Sequence, residues 1–280
     1  MNVHDLFHQG KLTEAIAAVT EEVRQRPTDT TRRLLLAELL CFTGDLERAD
    51  KQLDAVGHQD AKSIAWIQIF RHLIRGEQDR QQYFTVGHVP EFIGLPEAGQ
   101  RRLMEAAIRV REGALPEAVE LLAQAEAERV KPTGTSNETP FDDFRDLDDL
   151  TPSVLEVITS AGKYFWIPLD RIESLEFHAP ERPKDLFWRR AQLTVKNGPD
   201  GEVYIPVLYP GSAAETDDAI RLGRTTDWRG GEGTPIRGLG QRTFLVGEEA
   251  IPIMELESIE FDHPQEGSPA PGDTPAENEG

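Results

Sequence analysis

From Phe141 to Val195 the chain reads FDDFRDLDDLTPSVLEVITSAGKYFWIPLDRIESLEFHAPERPKDLFWRRAQLTV. This stretch divides the molecule. Before it, apolar residues recur at helical spacing. After about Ser153 they alternate or cluster in short runs bounded by Gly, Pro and Asn, the pattern of strands. SVLEVITS, the turn Ala161-Gly162 and KYFWIPL read as a hairpin, and LFWRRAQLTV, NGPDG and EVYIPVLYP read as a second. RTFLVGEEAIPIMELESIEF returns to strand after a loop, TTDWRGGEGTPIRGLG.

Within this half the chain repeats itself. Ile167-Pro168-Leu169-Asp170-Arg171-Ile172-Glu173-Ser174-Leu175-Glu176-Phe177 matches Ile251-Pro252-Ile253-Met254-Glu255-Leu256-Glu257-Ser258-Ile259-Glu260-Phe261 at a constant offset of 84, with six identities. Proline belongs at a strand edge or end. Two similar β units packed as a small barrel or sandwich are expected.

The first half has its own period. Gly10, Leu12, Ala15 and Val19 recur 34 residues later as Gly44, Leu46, Ala49 and Leu53, and again as Gly113, Leu115, Ala118 and Leu122. Thirty-four residues is the period of a tetratricopeptide-type helix pair. Glycine permits the left-handed turn between helices, and alanine lets them approach closely. About eight helices in four pairs are expected over residues 1–130, the slot at 63–84 being degenerate. An irregular helical bundle is the alternative. The first helix of each pair lines the concave face of such arrays. The groove slots then fall at Leu34 and Glu38 and at Leu103 and Ala107, mostly apolar and suited to an amphipathic helix.

The domain map is therefore a helical repeat over 1–130, a linker and Asp-rich hinge over 131–152, a β-rich domain over 153–262 and a disordered tail over 263–280. The fold class is α+β, all-α repeat followed by mainly antiparallel β. KPTGTSNETP at 131–140 has the composition of a linker. FDDFRDLDDL lacks the spacing and the glycine of a calcium loop, and reads as a short helical or turn segment docking the two halves.

Chemistry is thin. The 280 residues carry a net charge of −20, which argues against nucleic-acid and anionic-membrane binding. One cysteine, Cys41, excludes an internal disulfide framework and fits a reducing compartment. No run is long enough to span a bilayer and no signal peptide is visible, so a cytoplasmic protein is expected. His4 and His8 stand one helical turn apart, but no third ligand is near, and no metal or cofactor is expected. Gly238-Leu239-Gly240 lacks the rest of a dinucleotide loop. Arg221, Arg224, Arg229, Arg237 and Arg242 either grip an anion or pair with Asp217, Asp218 and Asp227.

The motifs Trp166-Ile167-Pro168, Asp185-Leu186-Phe187-Trp188-Arg189, Tyr209-Pro210-Gly211-Ser212 and Arg221-Leu222-Gly223-Arg224 with Asp227-Trp228 resemble, in this order, the ImpE/SciE family of TagJ-like type VI secretion accessory proteins. The likeness covers nearly the whole chain, short of the residues beyond Pro264. It implies a cytoplasmic, non-enzymatic factor of a Gram-negative bacterium. The implied partners are the small subunit of the contractile sheath, through its N-terminal helix, and the AAA+ ATPase that recycles the sheath. It implies no catalytic residues. Two other readings stay open: a repeat-type adaptor for another partner, and an enzyme with a β-domain site around Arg224, Asp227 and His178.

Overall fold

The computed structural model describes residues 2–59 and 63–263. Pairs of helices open the chain: α1 (Val3–His8) with α2 (Leu12–Gln25), and α3 (Thr30–Cys41) with α4 (Leu46–Gln59). Asn2 and Asp5 cap α1 reciprocally, and the Asp29 side chain caps α3. Gly10, Gly44 and Gly113 all have positive φ, at 80°, 69° and 77°, so the repeated glycine makes the turn its spacing predicts. Ala15, Ala49 and Ala118 are fully buried at the helix contacts. A single 23-residue helix, α5 (Ile64–Val86), follows, and α6 (Ala98–Glu112) with α7 (Leu115–Ala127) forms the last pair.

The strands come next: β1 (Gly134–Ser136), β2 (Thr139–Phe141), β3 (Phe144–Asp146), β4 (Val154–Thr159), β5 (Tyr164–Pro168), β6 (Ile172–Phe177), β7 (Trp188–Val195) and β8 (Asp200–Pro206). After a short helix, α8 (Asp218–Arg221), come β9 (Thr226–Gly231), β10 (Thr234–Gly240), β11 (Thr243–Val246), β12 (Glu249–Pro252) and β13 (Ser258–Phe261). They form an eight-stranded sheet in the order β2-β1-β13-β6-β7-β8-β4-β5, a three-stranded sheet β12-β11-β3 and the ribbon β9-β10. All named pairings are antiparallel.

The duplication is structural. Each copy ends a strand on Ile-Pro, makes one 3-10 turn (Leu169–Arg171 or Ile253–Glu255) and enters β6 or β13. These two strands pair with Leu175 opposite Ile259, Ser174 opposite Glu260 and Glu176 opposite Ser258. Equivalent residues are thus exchanged by a local dyad through the Leu175–Ile259 pair.

Three expectations need correction. Residues 131–140 are not a free linker. Gly134–Ser136 pairs with β13, and Thr139–Phe141 turns back along it to complete the sheet. Turn composition at Asn137 and Glu138, both at positive φ, belongs to this hairpin. Nor is FDDFRDLDDL a helix or a turn throughout: Phe144–Asp146 is a strand against β11, and the turn follows it at residues 147–150. Nor are the halves separable bodies, because one apolar core runs through both. Phe42 packs edge-on against Phe187 at 5.3 Å, and Phe70 against Trp188 at 5.9 Å. α5 packs on β4 and β5, and α3 on the 3-10 turn Pro183–Leu186. The tail expected to be disordered lies, apart from His263, outside the described residues.

Candidate functional site

Where α5 meets the sheets, charge is buried. Glu77 and Arg80 lie three residues apart on one face of α5, and neither is exposed. Arg80 donates Nε to Glu156 Oε1 at 2.9 Å, Nη1 to Glu77 Oε1 at 3.1 Å and Nη2 to the Leu208 carbonyl at 2.9 Å. Glu156 comes from the middle of β4. It also accepts from the Tyr164 hydroxyl, at 2.6 Å, and from Arg242, which bridges it to Asp146 of β3. Tyr209 donates to Asp146 at 2.8 Å, and Arg237 and the Gly238 amide donate to Asp148. A carboxylate taken from water needs such partners to remain charged. Burial alone would raise the Glu156 carboxyl; Arg80 and Arg242 outweigh it and hold it near 2. Burial keeps the Glu77 carboxyl above its usual range even beside Arg80.

Glu77 and Arg80 floor a cleft of about 300 Å3 between the halves. Its walls are largely apolar: Phe84 of α5, Phe187, and the stretch Pro206–Pro210, of which Pro206, Leu208, Tyr209 and Pro210 line it. Trp228, 38% exposed, packs on the Tyr209 ring with centroids 5.7 Å apart. An apolar mouth over an ion pair whose charges bond each other can hold apolar side chains of a partner.

The motif residues are mainly struts. Trp166 is fully buried, donates Nε1 to the Tyr164 hydroxyl at 2.6 Å and packs on Tyr83 of α5. Pro168 closes β5 before its 3-10 turn. Trp188 donates Nε1 to Glu77 at 3.2 Å. Arg189 lies over the Phe177 ring and bonds the Ile253 carbonyl; burial pushes its guanidinium down to about 10. Arg224 caps the end of α1, donating to the Phe7 and His8 carbonyls at 2.6 and 2.9 Å. Arg221 pairs with Asp218, and Asp218 in turn accepts from the Thr13 amide at the start of α2. Asp227 accepts from the Trp228 amide beside it.

The proposed groove residues are corrected here. Leu34, Glu38, Leu103 and Ala107 are all buried, so none lines an open groove. The protein's own β half covers α3: Arg182, just before the Pro183–Leu186 turn, reaches Glu38 at 2.9 Å and lies over Trp66. The arginine pairings also differ from expectation except at Arg221. Arg229 meets Glu215, Arg237 meets Asp148, and Arg242 meets Asp146 and Glu156. Arg224 lines a cleft with Phe7, Leu186 and Leu222, but neither Asp227 nor His178 does, so that enzyme constellation is not assembled. His4 and His8 are exposed on α1.

The motif-bearing half, residues 138–260, matches the family model described as ImpE protein, and residues 6–69 match a tetratricopeptide repeat model. A relative from Pseudomonas aeruginosa, described as type VI secretion system accessory component TagJ, is 33% identical over 262 residues, covering 94% of this chain and 92% of its own. The chain belongs to the ImpE/TagJ family. A solved structure, the crystal structure of protein VPA1032 from Vibrio parahaemolyticus, superposes with a TM-score of 0.87 at 28% identity, covering 94% of this chain and 98% of that one. In this ImpE/TagJ chain no described helix is long and apolar enough to cross a membrane.

Proposed function

We propose that the protein is a non-enzymatic, cytoplasmic accessory component of a bacterial type VI secretion system. In this reading it binds the N-terminal helix of the sheath small subunit and so takes part in sheath assembly or ATPase-driven recycling. The accessory role is supported by the identity to TagJ along nearly the whole of both chains. The helix enters at the cleft between the halves, because the concave face at α3 is already filled. The observation that carries this is the apolar mouth of Phe84, Phe187, Leu208 and Pro210 over the satisfied Glu77–Arg80 pair. Apolar anchors in a concave site carry most of the energy of such contacts. The charge of −20 favours a helix with basic residues on its rim, chiefly through the association rate.

The test is titration of a labelled peptide of the sheath subunit's N-terminal helix into the full chain, with Phe84→Glu as the variant. Saturable binding weakened about tenfold or more by the variant is expected. Binding that the variant leaves intact moves the site off the cleft. Absence of binding to both the peptide and the whole subunit removes the sheath reading.

A further inference from the structure

The local dyad relates two strand edges that are treated differently. In the first copy β5 ends its sheet, but its outer edge is covered. The Glu91 amide donates to the Tyr164 carbonyl at 2.8 Å, and the Trp166 amide donates to the Glu91 carbonyl at 3.1 Å, in parallel pairing. Two residues on, Arg171 holds the strap by donating to the Ile93 carbonyl at 3.2 Å.

In the second copy β12 also ends its sheet. The loop Gly247-Glu248 closes on the pair Val246–Glu249, and Leu245 faces Ala250. Ladder bonds alternate, so Ala250 turns its N–H and C=O outward, as Trp166 does at the equivalent position. Glu248, Glu249 and Ala250 are exposed, and among the described residues nothing pairs with that edge. Glu255 stands where the first copy has Arg171, so a carboxylate replaces the guanidinium that holds the strap. Beside Pro252 and Met254 lies a cleft of about 530 Å3, walled by Phe7, Leu186, Leu222 and Arg224, whose guanidinium is held by the Phe7 and His8 carbonyls, and edged by Glu255.

We propose that the outer edge of β12 is a strand-addition site for an extended, basic segment of a protein partner. The segment runs parallel to β12, as the strap runs along β5. Its amide bonds the Glu248 carbonyl, its carbonyl takes the Ala250 N–H, and a Lys or Arg close behind meets Glu255. An apolar side chain fills the cleft at Pro252. Open strand edges are templates for such pairing, main-chain bonds giving affinity and side-chain pockets giving specificity. A second copy is the poorer occupant, because two β12 edges would bring Glu248 and Glu249 against their like. Residues 264–280 hold no Lys or Arg and do not match the charge. This edge is distinct from the cleft at Phe84, and its test is read independently of the sheath peptide.

The probe is a short labelled peptide of alternating lysine and valine, titrated into the full chain. Its partners are the same peptide with N-methylated backbone amides and a glutamate–valine peptide. Saturable binding of the lysine peptide alone is expected. Ala250→Pro, which removes the outward N–H without removing a bond to β11, and Glu255→Arg should each weaken it about tenfold. Amide exchange at Ala250 should slow on binding while Trp166 is unaffected, a readout that does not depend on the proline variant folding. Failure of the lysine peptide to bind, or binding indifferent to both substitutions and to the Ala250 amide, overturns the proposal.

Discussion

Arg80 on α5 and Glu156 on β4 are 76 positions apart in sequence and bonded at 2.9 Å with neither side chain open to solvent. The pair fastens the helical half to the β half at their centre. Removing one member leaves the other charge buried. Arg80→Met should therefore cost about 3–5 kcal/mol, the range for breaking a buried pair. Urea unfolding followed by tryptophan fluorescence measures it. A change within about 0.5 kcal/mol, typical of surface sites, would show that water reaches the pair.

The shared core predicts one unfolding transition. Helical and β signals should melt together, and a protease should not cut first within residues 131–140, since that stretch is paired with β13. Early release of an intact fragment ending near residue 130 would restore two independent units.

Trp188 donates to Glu77 and packs between Phe70 and Phe187 with 1% exposure. Trp188→Ala should cost about 3–5 kcal/mol. An unaltered thermal midpoint would contradict its burial.

Gly76 separates two opposing effects. Alanine in a helix is favoured over glycine by about 1 kcal/mol. A Cβ at Gly76, however, would lie 2.4 Å from Ile158 Cγ2 on β4. Overpacking of this kind costs about 1–3 kcal/mol. Gly76→Ala should be net destabilising, and a raised midpoint would mean the helix and strand can part.

Two buried carboxylates set opposite pH limits. Arg80 and Arg242 overcome burial to hold Glu156 near 2, below its ordinary 4.5, so its stabilisation is present above 4.5 and lost as pH falls toward 2. Burial raises Glu38 to about 7 despite Arg182, so its contribution is complete below 4.5 and lost as pH rises through 7. Glu38→Gln should flatten the fall in melting temperature between about pH 5 and about pH 8. An equally steep fall in the variant would remove Glu38 as its cause.

The periodic features were legible. Gly10, Gly44 and Gly113 turn the chain where their spacing says, and the Ile-Pro duplication became two matching strand–turn–strand units. The concave face was not legible, because a repeat pattern says which residues face inward but not what covers them. The signal was Glu38 itself, a carboxylate inside the apolar run LLLAELLCF that needed a cation supplied 144 residues later by Arg182. Glu156 within VLEVI was the same kind of sign. For Arg237 and Arg242 the sequence offers an anion or the acids Asp217, Asp218 and Asp227 of the same region, whereas β3, the turn after it and β4 bring Asp146, Asp148 and Glu156 to them from about 90 residues away.

Arg224 on the end of α1, and Asp218 on the start of α2, place the first helix pair; Arg129, just past α7, bonds Asp143 and places the last. Open solenoids gain or lose units freely, since each touches only its neighbours. Here both ends are moored to one rigid scaffold. Adding a 34-residue unit would slide one mooring away from its partner, so this array has a fixed length, and its descendants can vary in sequence far more readily than in repeat number.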